Sequence, residues 1–260
     1  MRDLHRRAAL SVRATGALAV VLALGVRLGG VARAEEPPAV VVFAAVSLSQ
    51  AFGALESEFR RDHPERRAVF NFEGSSRLVH QIHEGMRADV FASADETNME
   101  SARADGALAG PPRIFARNTL VIAVQPGNPK GIRGLADLGR PGLTVALCAP
   151  DVPAGRYARQ AFAKAGVAVP EASQELDVRA ALVKVMVGEA DAAIVYATDV
   201  RTAGDRVTAV ALPPEHDVVA RYPIAVLKDA QNPAAARAFV DFVLGPTGQA
   251  VLGRFGFLAP

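Results

Sequence analysis

Hydrophobic runs of strand length alternate along this chain with stretches in which apolar residues recur every three or four positions. Val40-Val41-Val42-Phe43 is followed by the small-residue turn Ala44-Ala45-Val46-Ser47. Leu48, Ala51, Phe52, Leu55 and Phe59 then come at helical spacing. This predicts a strand and an amphipathic helix that starts at Ser47, with Gln50 completing a capping box, and stops at His63-Pro64. The layout recurs at Val69-Phe70-Asn71-Phe72 and Glu73-Gly74-Ser75-Ser76. Here the helix is expected to start at Ser75–Arg77, to bury Leu78, Val79, Ile82 and Met86, and to end near Gly85. Further strands are predicted at 88–92, 119–124, 143–149, 192–196 and 222–227. Asp95 should cap a short helix containing Met99, and a helix after Gly155 should carry Tyr157, Ala161 and Phe162 on one side. Asp177 caps a helix ended by Gly188, and Asn232-Pro233 opens the last one. Alternation of this kind implies α/β layers with largely parallel strands.

The first 34 residues follow a different rule. Arg2, Arg6, Arg7 and Arg13 form a basic start, Ala17 to Val26 is an apolar run too short to cross a bilayer, and Ala32-Arg33-Ala34 fits a cleavage pattern. A secretory leader cleaved after Ala34 is expected, and with it a periplasmic destination. The leader changes the electrostatic picture. The whole chain has 29 basic and 27 acidic residues, but six of the basic ones and only Asp3 lie in the leader. The remainder has a formal charge of −3, so the basic balance is an export signal and gives no support to nucleic-acid binding. Cys148 is the only cysteine. It permits no internal disulfide, offers no lipid-attachment point at the cleavage site, and reads as a small buried hydrophobe.

Both serine turns bring a hydroxyl and unpaired helix-start N–H groups to the carboxyl edge of a strand. That arrangement holds an anion by dipoles rather than by counter-charge. Taken singly, Ser47 and Ser75 read as plain caps, and Tyr196 as a half-buried tyrosine at a strand end. Taken together, five loops, around Ser47, Ser75, Ala154 and Val178 and at Tyr196, follow strands or open helices, where α/β folds bind ligands. His80 and His83 lie three apart without a third ligand at metal spacing, and read as an exposed pair. No Gly-x-Ser-x-Gly elbow is present and His216 reads as a surface-loop residue, so no enzyme activity is expected.

Six motifs in order resemble the periplasmic molybdate-binding proteins, the solute receptors of molybdate ABC importers. They are Val42-Phe43-Ala44-Ala45-Val46-Ser47-Leu48, Gly74-Ser75-Ser76, Ala88-Asp89-Val90-Phe91-Ala92-Ser93-Ala94-Asp95, Asp151-Val152-Pro153-Ala154-Gly155-Arg156-Tyr157-Ala158, Asp177-Val178-Arg179-Ala180-Ala181-Leu182 and Ile194-Val195-Tyr196. The resemblance implies a type II periplasmic-binding-protein fold, two α/β lobes joined by two crossing hinge segments. Lobe one would comprise 35–117 and 222–260, and lobe two 118–221. It further implies ligand contacts from Ser47 and Ser75 through hydroxyl and backbone N–H, from Ala154 and Val178 through backbone N–H, and from Tyr196 through its phenol. The implied ligand is molybdate or tungstate, with no cofactor and no metal beyond that oxyanion. The implied partner is a permease in the inner membrane, and the chain is expected to be a monomer.

The chemistry of such a ligand agrees with this donor set. A fully deprotonated tetrahedral dianion can only accept hydrogen bonds, so its pocket should consist of donors. Arg156 and Arg179, beside two of the loops, are assigned structural or rim roles. Glu73 and Asp151 are expected to face solvent, because a carboxylate in the cleft would repel a dianion or favour a protonated oxyanion such as hydrogen phosphate. The competing readings are a sulfate or phosphate receptor, a secreted hydrolase, and a ferric receptor built on Tyr157, Tyr196 and Tyr222.

Overall fold

The computed structural model describes residues 39–170 and 173–260. The expected leader and its cleavage site lie outside the described residues. The chain opens with β1 (Ala39–Ala45), turns through a short 3-10 segment (Val46–Leu48) into α1 (Ser49–Asp62), and returns as β2 (Arg67–Glu73). Then come α2 (Ser75–His83), β3 (Val90–Ala92), α3 (Glu96–Ala104) and β4 (Arg113–Asn118). One residue later β5 (Leu120–Val124) begins a second sheet, continued by β6 (Val145–Cys148), α4 (Pro153–Ala165), β7 (Ser173–Glu175), α5 (Val178–Met186), β8 (Ala192–Tyr196), α6 (Ala197–Ala203) and β9 (Thr208–Ala211). β10 (Ala220–Val226) returns to the first sheet, and α7 (Pro233–Leu244) and α8 (Pro246–Arg254) follow.

The two sheets share one plan, β2-β1-β3-β10-β4 and β7-β6-β8-β5-β9. In each, three strands run parallel as βα units require: β2, β1 and β3 in the first, β7, β6 and β8 in the second. The fourth is reversed, and half of the strand pairings are therefore antiparallel. This corrects the expectation of largely parallel sheets. The cause is the crossing itself. β5 and β10 arrive from the other lobe, start at the edge facing the seam, and run away from it. Ala220 pairs with Asn118 and Leu120 with Tyr196, so both crossings are stitched at their first residues. β10 thus begins two residues ahead of the expected start at Tyr222.

Each sheet is sealed by apolar side chains. β5 and β8 are buried along their whole length, and Phe52 packs against Phe70, Phe115 and Phe239 with ring centroids 5.8–6.1 Å apart. Cys148 is buried among them, and burial pushes its thiol pKa up, so it behaves as the expected hydrophobe. Met86 is half exposed rather than buried, because α2 ends at His83 and leaves it in the following turn. No helix among the described residues is long and apolar enough to cross a membrane.

Candidate functional site

The carboxyl ends of β1 and β2 in one lobe face the N-termini of α4 and α5 and the end of β8 in the other. Ser47, Ser75, Ala154, Val178 and Tyr196 all line a small cavity there that opens to solvent. The wall is completed by Ala45, Val46, Glu73, Gly74, Ala94, Val152 and Pro153, with no lysine or arginine among the lining residues.

Each contributor is held by local chemistry. Ser47 sits inside the 3-10 turn, and its hydroxyl does not cap a helix. Its Oγ lies 3.1 Å from the Tyr222 phenol oxygen instead. The expected Ser47–Gln50 capping box is therefore absent, since α1 starts two residues later with Leu48 as its N-cap. Ser75 is the first residue of α2, and its buried Oγ accepts a hydrogen bond from Ala94 N–H at 3.0 Å. Asp177 caps α5, accepting from Ala180 N–H at 2.9 Å, and so leaves the Val178 amide at the helix start without an intrahelical acceptor. At α4, Pro153 fills the first position, where a missing N–H costs nothing, and Ala154 follows. Gly155 is obligatory there: a Cβ would overlap the carbonyls of Cys148 and Ala149, on which the helix start rests.

Tyr196 contributes in another way. Its side chain is fully buried and its phenol oxygen has no hydrogen-bond partner among the described residues. Burial pushes its pKa well up, so the oxygen keeps its proton. Its backbone N–H is already donated to Asp199 Oδ2 at 3.1 Å, leaving the phenol as its free donor. An unsatisfied buried group costs about 1–3 kcal/mol, which an acceptor in the cavity would relieve. The α-helix starts at Ser75, Ala154 and Val178 add partial positive charge at the same place.

The charged neighbours are engaged elsewhere. Arg156 pairs with the buried Asp95 carboxylate and donates to Asp151 O at 3.0 Å, while Arg179 donates to Ser49 Oγ at 3.0 Å. The Arg156–Asp95 and Arg179–Ser49 contacts join one lobe to the other, so these arginines act as seam residues. Asp95 also accepts from Asn98 N–H at 3.0 Å as the cap of α3. Asp151 is exposed. Glu73 corrects the expectation that it faces solvent: it is half-buried and forms part of the cavity wall, its carboxylate 3.9 Å from Arg77 Nε on the next turn. His80 and His83 turn to different carboxylates, Glu84 at 3.1 Å and Asp105 at 2.8 Å. Ala94 and Tyr222 hold the two serine hydroxyls, and local pattern gave neither away, because both come from strands or loops distant in the chain.

Two mixed α/β lobes with a donor-lined cavity at their seam define the class of two-lobed solute receptors. The sequence pattern of the bacterial extracellular solute-binding proteins matches residues 40–258, and the chain belongs to that family. The family is one of receptors rather than enzymes. The chain is 45% identical over 221 residues to the molybdate-binding protein ModA of Mycobacterium tuberculosis H37Rv, covering 85% of each. It is similar in fold to the periplasmic molybdate-binding protein of Azotobacter vinelandii, with a TM-score of 0.74 and 22% identity over 85% of this chain and 99% of that one. It is also similar to the sulfate-binding protein SubI of Mycobacterium tuberculosis H37Rv, with a TM-score of 0.76 and 20% identity over 84% and 86%. The fold is thus shared by receptors named for different oxyanions, and the choice of guest rests on the cavity.

Proposed function

We propose that this protein is an extracytoplasmic receptor for molybdate, with tungstate an almost equal ligand, and that it hands the ion to an ABC importer in the inner membrane. The observation that carries the reading is the Tyr196 phenol, a buried donor without an acceptor among the described residues, in a cavity that Ser47, Ser75, Ala154 and Val178 also line and whose wall has no cation. A tetrahedral dianion would accept from the hydroxyls of Ser47, Ser75 and Tyr196 and from backbone N–H groups at the two serines, Ala154 and Val178. Charge-assisted hydrogen bonds contribute about 1.5–3 kcal/mol each. Several of them suffice for micromolar to nanomolar binding, about 8–12 kcal/mol net, after ordering costs are met. A 45% identical relative named for molybdate binding supports the same choice.

The leader, residues 1–34, would direct export and be removed after Ala34. Residues 35–117 and 222–260 would then move as one body against 118–221, closing over the ion. No cofactor takes part, and the working form is a monomer. Calorimetric titration of the mature protein is the test. Tight binding of about one molybdate or tungstate per chain is expected, with sulfate and phosphate far weaker. Tighter binding of sulfate or phosphate would contradict the assignment.

A further inference from the structure

Among the described residues that line the cavity, Glu73 is the only charged one, and it bears the sign of the proposed guest. It closes β2 in register with Ala45, the last residue of β1, at the strand edge where the donors gather. Its side chain is 32% exposed, so most of it is covered rather than extended into water. The cation beside it is Arg77, one turn along α2, with Nε 3.9 Å from the carboxylate. Arg77 is exposed and stands outside the cavity wall. An open pair of that length is worth little, so it screens Glu73 from the solvent side without cancelling its charge at the cavity. The arginines of the seam are engaged elsewhere, Arg156 with Asp95 and Arg179 with Ser49. Glu73 also stands two residues before the start of α2, so it draws on the same helix-start potential as the guest.

We propose that Glu73 is a specificity-determining residue: a charge of the guest's own sign in the cavity wall, which limits the affinity for dianions and narrows their advantage over monoanions of the same shape. The inference rests on the oxyanion-receptor reading above and deepens it. Repulsion between Glu73 and the guest scales with the guest's charge, so a dianion feels twice what a monoanion feels at the same place. With no cation in the wall, nothing there offsets the difference. The donors bind the ion, and Glu73 keeps it from being held as tightly as they alone would hold it.

Glu73→Gln removes the charge and keeps the size of the side chain, while Glu73→Asp keeps the charge. Calorimetric titration of the mature protein and both variants would compare molybdate with perrhenate, a tetrahedral oxyanion of similar size and a single negative charge. The titrations would be run at about pH 8, above the ordinary carboxyl range, in low and in high sodium chloride. The expected result is about tenfold tighter molybdate binding in Glu73→Gln, about 1.4 kcal/mol. Perrhenate should gain only about threefold, because half the repulsion is relieved. The molybdate gain should shrink in high salt, which screens the carboxylate in the parent. Glu73→Asp should keep the parental ratio of the two anions. Unchanged or weaker molybdate binding in Glu73→Gln, or an equal gain for both anions, would overturn the role of Glu73 while leaving the receptor reading intact. A parent protein that takes up no molybdate would remove both.

Discussion

A serine oxygen can give or take a hydrogen bond, and what decides the matter at Ser75 is the Ala94 amide, which occupies its acceptor side from a loop nineteen residues away. Sequence motifs brought Ser47, Ser75 and Tyr196 together as candidates. They could not supply the partners these serine hydroxyls meet, because Ala94 and Tyr222 become their neighbours only once the sheets form. Asp199 is a second residue invisible to pattern. It is fully buried at the start of α6, one oxygen accepting the Tyr196 N–H and the other without a partner among the described residues. Burial is the main cause of a pKa pushed up to about 7, opposed by the nearby Arg179 charge and reinforced by Asp177. The unfolded carboxyl titrates at about 3.9. Between those values the folded state binds more protons, so Asp199's contribution to stability falls as pH rises from about 4 to about 7. Asp199→Asn keeps an acceptor for Tyr196 and removes the charge. Thermal melts should show the variant gaining on the parent between about pH 5 and pH 8, and ending more stable at the upper value. A variant less stable than the parent at about pH 8 would contradict this account of the carboxyl.

At the scale of elements, the site is three α-helix starts and a 3-10 turn aimed at one point, and glycine lets them come close. Gly74 precedes α2 with its backbone against the other lobe: a Cβ there would stand 2.5 Å from the Leu176 carbonyl oxygen. That contact exists only while the lobes are together, so Gly74→Ala should burden the closed form and spare the open one. An overpacked contact costs about 1–3 kcal/mol. Molybdate affinity is expected to fall roughly ten- to hundredfold with the ligand-free melting temperature unchanged, and small-angle scattering should show less compaction on adding molybdate than in the parent. Parental affinity and compaction would argue against closure at this seam. The helices around the site were legible from their caps: Asp95, Asp177 and Asn232 each accept from a first-turn amide as expected. β4 was not foreseen, because its apolar positions are interrupted by Arg113, Arg117 and Asn118, and β7 is three polar-flanked residues at a sheet edge. α6 escaped notice because it follows β8 without a single intervening residue. The start expected for α1 failed for the opposite reason: the serine that looked like a cap is turned toward a distant tyrosine.

For the whole molecule, the proposed site lies on the seam between the two sheets. Arg156–Asp95, Arg179–Ser49 and the Tyr196–Tyr222 ring contact, with centroids 5.8 Å apart, all bridge lobes whose sheets share no strand. The two-lobed α/β architecture could be anticipated from six ordered motifs, whereas the reversal of β5 and β10 could not, since it follows from where the chain crosses rather than from any local pattern. Capture by such a seam requires donors from both lobes to meet on one ion. A crystal structure of the mature protein grown with molybdate, with the metal located by its anomalous scattering, measures this most directly. The expected result is one molybdenum peak between the sheets, its oxygens within hydrogen-bond distance of the Ser47, Ser75 and Tyr196 hydroxyls. A peak elsewhere, or an ion held by lysine or arginine, would contradict it.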